Sequence, residues 1–211
     1  MCLYDGGMRR TKEDAAATRA GVLDAALRVF GRKGYAATRL EEVAAEAGVT
    51  RGAVYWHFAD KAALYTALMQ ERGARLAGLY EEALAPAGRR APLAAVERLL
   101  LRAVELLQDD PEFRAVMQLN WFKTELTPEL EAGYQQKLAG VRRLVDALAE
   151  LVRAAVELGE APADLDPRAA ALATVSFMQG LMVLVVMDGD LVRTKATSRR
   201  VVQTFVRGLR A

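Results

Sequence analysis

Seven consecutive positions, Arg51 to His57, hold an arginine, a glycine, two large aromatics and the only histidine of the 211-residue chain. On a helix, Val54 and Phe58 turn toward a core, while Thr50, Arg51, Gly52, Tyr55, Trp56 and His57 share the opposite side. Exposing two large rings is an odd cost for a helix with only a structural role, because such rings rarely stay in water without a partner. A helix that reads a nucleic-acid groove accounts for the mixture. Arg51 can bridge the acceptors of guanine, Gly52 lets the backbone come close, and Thr50, Tyr55, His57 and Lys61 carry donors for phosphates at the rim. Arg39, from the basic stretch just upstream, joins this candidate set. Other chemistry is poorly supplied. A single histidine leaves a His-based metal site or a His-led triad almost nothing to work with. There is no phosphate loop, GxSxG, paired histidine ligand or CxxC, so no enzyme, metal site or cofactor is expected. Cys2, without a cationic neighbour of the activating kind, is given no role.

Three short elements must position that face. Apolar residues recur at three- and four-residue spacing almost everywhere and no run alternates strictly, so the chain reads as all-α with about nine helices. A first helix, about 13–33, carries Val22, Leu23, Ala26, Leu27 and Phe30 on one side and ends at Gly34, a residue suited to a left-handed cap. A second, 40–47, repeats Leu40, Val43, Ala44 and Ala47, with Thr38 and Glu41 spaced as a capping box. Gly48 breaks it. Thr50 is the natural N-cap of a third helix through Phe58, and the turn 47–50 has the size a helix-turn-helix uses. Further helices are expected at about 61–83, 93–107, 111–123, 128–158, 167–187 and 196–209, several of them opening on proline. Residues 1–12 read as a loose arm in which Met8 offers an alternative start. The expected organisation is therefore an arm over 1–12, a helix-turn-helix domain over 13–60 and a helical domain over 61–211.

Hydrophobic residues make up 53% of the chain and charged residues 27%, enough apolar surface to bury for a globular fold and too much for disorder. One cysteine forms no internal disulfide and no signal-peptide pattern opens the chain, so a cytoplasmic location is expected. The net charge of +2 says little, but eight lysines and arginines between residues 8 and 40 face only Glu13, Asp14 and Asp24. That basic end suits a polyanion, and a solvated helix face carries the same pattern. Residues 169–187 are apolar enough to raise a membrane span. Thr174, Ser176 and Gln179 interrupt them, and Asp166 and Pro167 cap their start, which favours a helix buried on all sides with no membrane partner.

From Thr18 to Leu64 the chain resembles the signature of TetR-family regulators. The matching positions are Thr18-Arg19, Val22-Leu23, Ala25-Ala26, Phe30, Gly34-Tyr35, Thr38, Val43-Ala44, Ala47-Gly48-Val49-Thr50, Gly52, Val54-Tyr55, His57-Phe58, Lys61 and Leu64. VTRGAVYWHFADK looks like the multidrug-efflux, AcrR-like branch, and APADLDPRAAA with QGLM is similar to that branch's C-terminal domain. The resemblance implies that Thr50, Arg51, Gly52, Tyr55, Trp56, His57 and Lys61 face a double-stranded operator. It also implies a homodimer through the last two helices, with reading helices about 34–36 Å apart. A small hydrophobic or lipophilic cationic inducer would bind among the middle helices and release a repressor of efflux genes. Met69, Met117, Met178 and Met182 fit an adaptable cavity wall or an ordinary core. Asn120, Trp121 and Glu125 supply polar groups and an aromatic wall, or, for Glu125, simply a solvated helix end. Phe177, Leu181, Val185, Val201, Phe205 and Leu209 fit an interface between copies or an intrachain core. The rival readings are a regulator of metabolic or stress genes and a helical carrier that never meets DNA.

Overall fold

A computed structural model describes residues 5–210. Nine α-helices follow one another among them: α1 (Asp5–Ala37), α2 (Leu40–Ala47), α3 (Arg51–His57), α4 (Lys61–Leu84), α5 (Pro92–Asp109), α6 (Pro111–Phe122), α7 (Glu131–Glu157), α8 (Pro167–Met187) and α9 (Lys195–Arg207). Single 3-10 turns occupy Pro86–Arg90, Pro128–Leu130 and Gly189–Val192, and there is no strand among the described residues. The helix starts are chemically specified. Proline stands at the first turn of α5 and α8, Asp166 accepts from the amides of Arg168 and Ala169, and Thr194 accepts from that of Thr197. The loose arm expected over 1–12 is already helical from Asp5, since the helix-favouring run from Met8 to Ala17 carries α1 upstream. Residues 1–4, Cys2 among them, lie outside the described residues.

Regular helix in α1 is interrupted at Gly34, whose φ of 80° and ψ of 168° belong to a region essentially confined to glycine. The break frees backbone groups, and each finds a partner. The Tyr35 N–H donates to the Lys123 carbonyl at 2.9 Å, and the Lys123 ammonium returns to the Gly31 carbonyl. Thr38, only 2% exposed, donates its hydroxyl to the Gly34 carbonyl at 2.8 Å. The start of α2 at Leu40 is as expected, but that use of Thr38 moves the capping pair one residue along from Thr38 and Glu41. Arg39 is the N-cap, and the Glu42 carboxylate accepts from its N–H at 3.2 Å.

The chain divides into two compact units, one of Met1–Arg72 with Gln118–Leu130, the other of Gly73–Met117 with Glu131–Ala211. The first unit thus holds twelve more residues of α4 than the range 13–60, and it recruits the end of α6 and the following loop. Its core joins Val22, Leu23, Val29 and Phe30 of α1 to Val43, Val54, Leu64 and Leu68, and Leu119 and Leu130 close it. Phe30, Tyr35 and Tyr65 meet ring to ring with centroids 5.1 to 5.9 Å apart. In the second unit α8 packs along α5 and α7, burying Ala171, Val175, Met178, Leu181, Met182 and Val185. Helix α8 is long and apolar enough to cross a membrane by length and composition, and 44% of its most apolar 18-residue stretch is buried in the chain, so it is not the helix buried on all sides that was expected.

A methyl group on Gly34 would sit 3.1 Å from the Lys123 carbonyl oxygen, in a backbone conformation that already disfavours any Cβ. Gly34→Ala is expected to lower unfolding free energy by roughly 1–3 kcal/mol in urea titration. Gly48, at φ 67° with open space around its Cβ direction, should lose only about 1 kcal/mol on the same change.

Candidate nucleic-acid interface

Helix α3 is held by its two ends. At the start the Thr50 hydroxyl accepts from the Ala53 N–H at 3.2 Å, and at the other end the Phe58 N–H returns to the Val54 carbonyl. Gly48, in the left-handed conformation, turns α2 into α3 in three residues and donates to the Ala45 carbonyl at 3.2 Å. Val54 and Phe58 are buried, and that pins the opposite face outward.

That face carries Thr50, Arg51, Gly52, Tyr55 and Trp56, all exposed. Trp56 is 73% exposed and Tyr55 41%, far beyond what a core would leave showing. The His57 imidazole meets the Trp56 ring edge-on at 4.5 Å. Burial, and then the nearby Arg19 guanidinium, lower its pKa below the ordinary value, so at neutral pH it is an uncharged hydrogen-bonding group. Arg51 lies 3.0 Å from the Glu41 carboxylate and donates to the Tyr55 hydroxyl at 3.3 Å, with its guanidinium 5.1 Å over the Tyr55 ring. Arg39 is exposed beside them at the start of α2.

Lys61, expected at the phosphate rim, has partners within the chain. Its ammonium donates to the carbonyls of Tyr35 and Ala36 at 3.0 and 3.1 Å and stands 4.5 Å over the Tyr35 ring. It therefore closes the end of α1, a job no sequence pattern announced. Burial and the Glu129 carboxylate push the Tyr35 phenol up to about 12, which keeps that hydroxyl protonated and pointing at Glu129. Among the described side chains, several basic residues of the N-terminal stretch are paired with carboxylates. Arg28 and Arg32 grip Glu46 at 2.7 Å each, Lys33 pairs with Glu42, Arg72 with Asp24, and Arg19 holds Glu71 through two bonds of 2.8 and 2.5 Å. These pairs weld α1 to α2 and α4.

The other candidate residues are scattered. Met69 packs against the core of the first unit, and Asn120, Trp121 and Glu125 belong to that unit as well, the first two half-buried and Glu125 exposed. Met117, Met178 and Met182 are buried in the second unit. Phe177 and Phe205 stack on each other within the chain at 4.3 Å, and Val201 is half-buried. Leu181, Val185 and Leu209 are covered by the chain's own helices, which leaves them almost no surface for a second copy. Among the residues α8 exposes, Leu172, Ser176, Gly180, Leu184 and Met187 form one stripe with Gln179 beside it, missed because a helix apolar on nearly every side gives little sequence signal for which side turns inward.

Residues 22–68 match the profile of bacterial regulatory proteins of the tetR family, and residues 92–211 that of the C-terminal region of BetI-type transcriptional repressors. The chain belongs to the TetR family. Among its relatives is the HTH-type transcriptional regulator AcrR of Shigella flexneri, 32% identical over 176 residues that cover 82% of this chain and 80% of AcrR. Among solved structures, NalD, the secondary repressor of the MexAB-OprM multidrug efflux pump of Pseudomonas aeruginosa, superposes with a TM-score of 0.81 at 29% identity. That superposition covers 94% of this chain and 98% of NalD. SmeT in complex with triclosan superposes at 0.79 with 26% identity over 92% of each chain. The protein is a TetR-family transcriptional repressor related to efflux-pump repressors, and that family is not enzymatic.

The bonds at Lys61 carry a prediction. Lys61→Met keeps the stem and removes the charge, and it should lower unfolding free energy by roughly 1–3 kcal/mol in urea, since charge-assisted bonds to two carbonyls are lost. A lysine serving only phosphate would leave stability unchanged.

Proposed function

We propose that this TetR-family repressor binds a palindromic operator as a homodimer and leaves it when a small hydrophobic or lipophilic cationic compound occupies the C-terminal unit, so controlling an efflux pump. The observation that carries the DNA half is the α3 face: two exposed aromatic rings, an arginine and a glycine on a helix whose other side is locked in a core. Such a face has no structural use and suits a major groove, with Thr50, Tyr55 and His57 as phosphate donors around Arg51. Arg19, Arg28, Arg32 and Lys33 of α1 contribute less positive field than their count suggests, because each is paired with a carboxylate. Arg39 supplements α3.

The efflux and inducer half rests on relatives. NalD and SmeT are described as repressors of multidrug efflux pumps, and SmeT has been captured with triclosan, a small apolar phenol. Met117, Met178 and Met182 give the second unit adaptable apolar side chains of the kind such a ligand needs. Trp121 and Asn120, half-buried at the end of α6, belong to the first unit and are no part of that set. For the homodimer, the exposed stripe of α8 is the surface offered. Leu172, Leu184 and Met187 recur on one face with Ser176 and Gly180 between them, and Met187 is 65% exposed. Small residues in the middle of such a stripe let a second α8 approach closely, and isologous pairing would bury both copies at once.

The test is fluorescence anisotropy of the full chain on DNA from its own upstream region, at two salt concentrations, with and without triclosan and a panel of lipophilic cations. Sequence-selective binding that weakens steeply with salt and is reversed by one compound is the expected result. Binding that no compound reverses moves the sensor to another ligand class, and absence of selective binding overturns the DNA reading. Leu184→Arg is expected to convert dimer to monomer in sedimentation velocity and to weaken operator binding at least about tenfold, because two half-sites can no longer be held together. A dimer that survives this change would place the interface elsewhere.

A further inference from the structure

Arg51, at the first position of α3, is the side chain best placed to read a base, and it is already occupied. Its Nε lies 3.0 Å from Oε1 of Glu41, a residue of the neighbouring helix α2. Its Nη2 donates to the Tyr55 hydroxyl, and the same guanidinium lies over the Tyr55 ring. Both partners of the pair are exposed, so the carboxylate of Glu41 stands on the surface that α3 turns toward DNA. A negative charge there repels a polyanion and needs a reason. The other acids of α2 have structural ones: Glu42 bonds the N-cap amide and Lys33, and Glu46 bridges Arg28 and Arg32 to tie α1 to α2. Among the described residues Glu41 bonds only Arg51.

We propose that Glu41 is a specificity-determining residue, which orients Arg51 toward a base edge and repels DNA that makes no use of that orientation. The carboxylate takes Nε while Tyr55 holds Nη2 and the ring face, so the guanidinium is fixed as a fork beside α3. A guanine edge offers two acceptors in the plane of that fork, and Arg51 can meet them through its Nη groups while Nε stays with Glu41. On other sequences the charge of Glu41 still repels the phosphates, with no such bond to offset it. Removing the carboxylate charge therefore helps every sequence electrostatically but loosens the guanine contact, which is how specificity arises from a repulsive element.

This inference rests on the DNA-binding reading above, and the experiment separates the two. Affinities of the full chain are measured by anisotropy for DNA of its own upstream region and for mixed-sequence genomic DNA of equal length, at two salt concentrations. If the upstream DNA is not selected, a preferred site is recovered from a random oligonucleotide pool; recovery of none overturns the DNA reading itself. Where the wild type selects, Glu41→Gln is expected to raise affinity for mixed-sequence DNA by roughly three- to tenfold and to raise affinity for the selected site less, so that the ratio of the two falls. Glu46→Gln makes the same change of charge on the same helix without touching Arg51, and should leave the ratio unaltered. In an Arg51→Ala background Glu41→Gln should no longer move the ratio. An unchanged ratio in Glu41→Gln, an equal fall in Glu46→Gln, or a fall that persists without Arg51 each overturns the proposal and reduces Glu41 to a favourable charge at the start of α2.

Discussion

The N–H of Tyr35 has no place in its own helix. The break at Gly34 turns it out of α1, and it is bonded to the carbonyl of Lys123, a residue almost ninety positions further along the chain. Around that bond the reading unit is assembled. Lys123 returns a second bond to Gly31, Lys61 covers the carbonyls of Tyr35 and Ala36, and Thr38 covers that of Gly34. Backbone groups released inside a protein must be satisfied, and here the partners come from three separate stretches of sequence. Helices of eight and seven residues, such as α2 and α3, are too short to be stable by themselves and depend on this packing for their existence. Leu119 and Leu130 then fill the space that α1 to α4 leave open.

Charge in this unit is used mainly to hold helices together. Five basic side chains of α1 and α4 end on carboxylates of α1, α2 and α4, in pairs exposed enough that each contributes little alone. Their collective effect is orientation, since α1 is tied to α2 through Glu46 and Glu42 and to α4 through Glu71 and Arg72. Under the proposed function, recognition would rest less on the paired charges of Arg19, Arg28, Arg32 and Lys33 than on a few side chains on and beside α3. A reader of this kind depends on geometry, and the geometry depends on where α3 is pinned by Val54 and Phe58.

The second unit follows a different logic. Its long helices bury one side of α8 against α5 and α7 and leave a mainly apolar stripe on the other, with Leu184 43% exposed. An apolar stripe of that length seldom stays in contact with water without a use. The proposed pairing of two copies there and the proposed ligand binding beside Met178 and Met182 would draw on opposite faces of the same helix, which would link occupancy of the one to geometry of the other.

Much of the architecture was legible in the residues. The three-four spacing of apolar positions located the helices, and Thr50, Gly48 and the prolines at 92 and 167 marked starts and turns through local chemistry that needs no tertiary partner. The exposed face of α3 was legible for the same reason, because Val54 and Phe58 fix which side is inward over so short a helix. Three features were decided only by tertiary structure. The bonds of Lys61 to carbonyls of α1 are one, since the acceptors it meets are created by a break whose partner, Lys123, is distant in sequence. Arg28, Arg32 and Lys33 count as free charge in a sequence and as paired charge in the fold. The outward side of α8 could not be read at all, because periodicity distinguishes faces only when they differ in polarity, and in α8 what separates inside from outside is which neighbours it packs against.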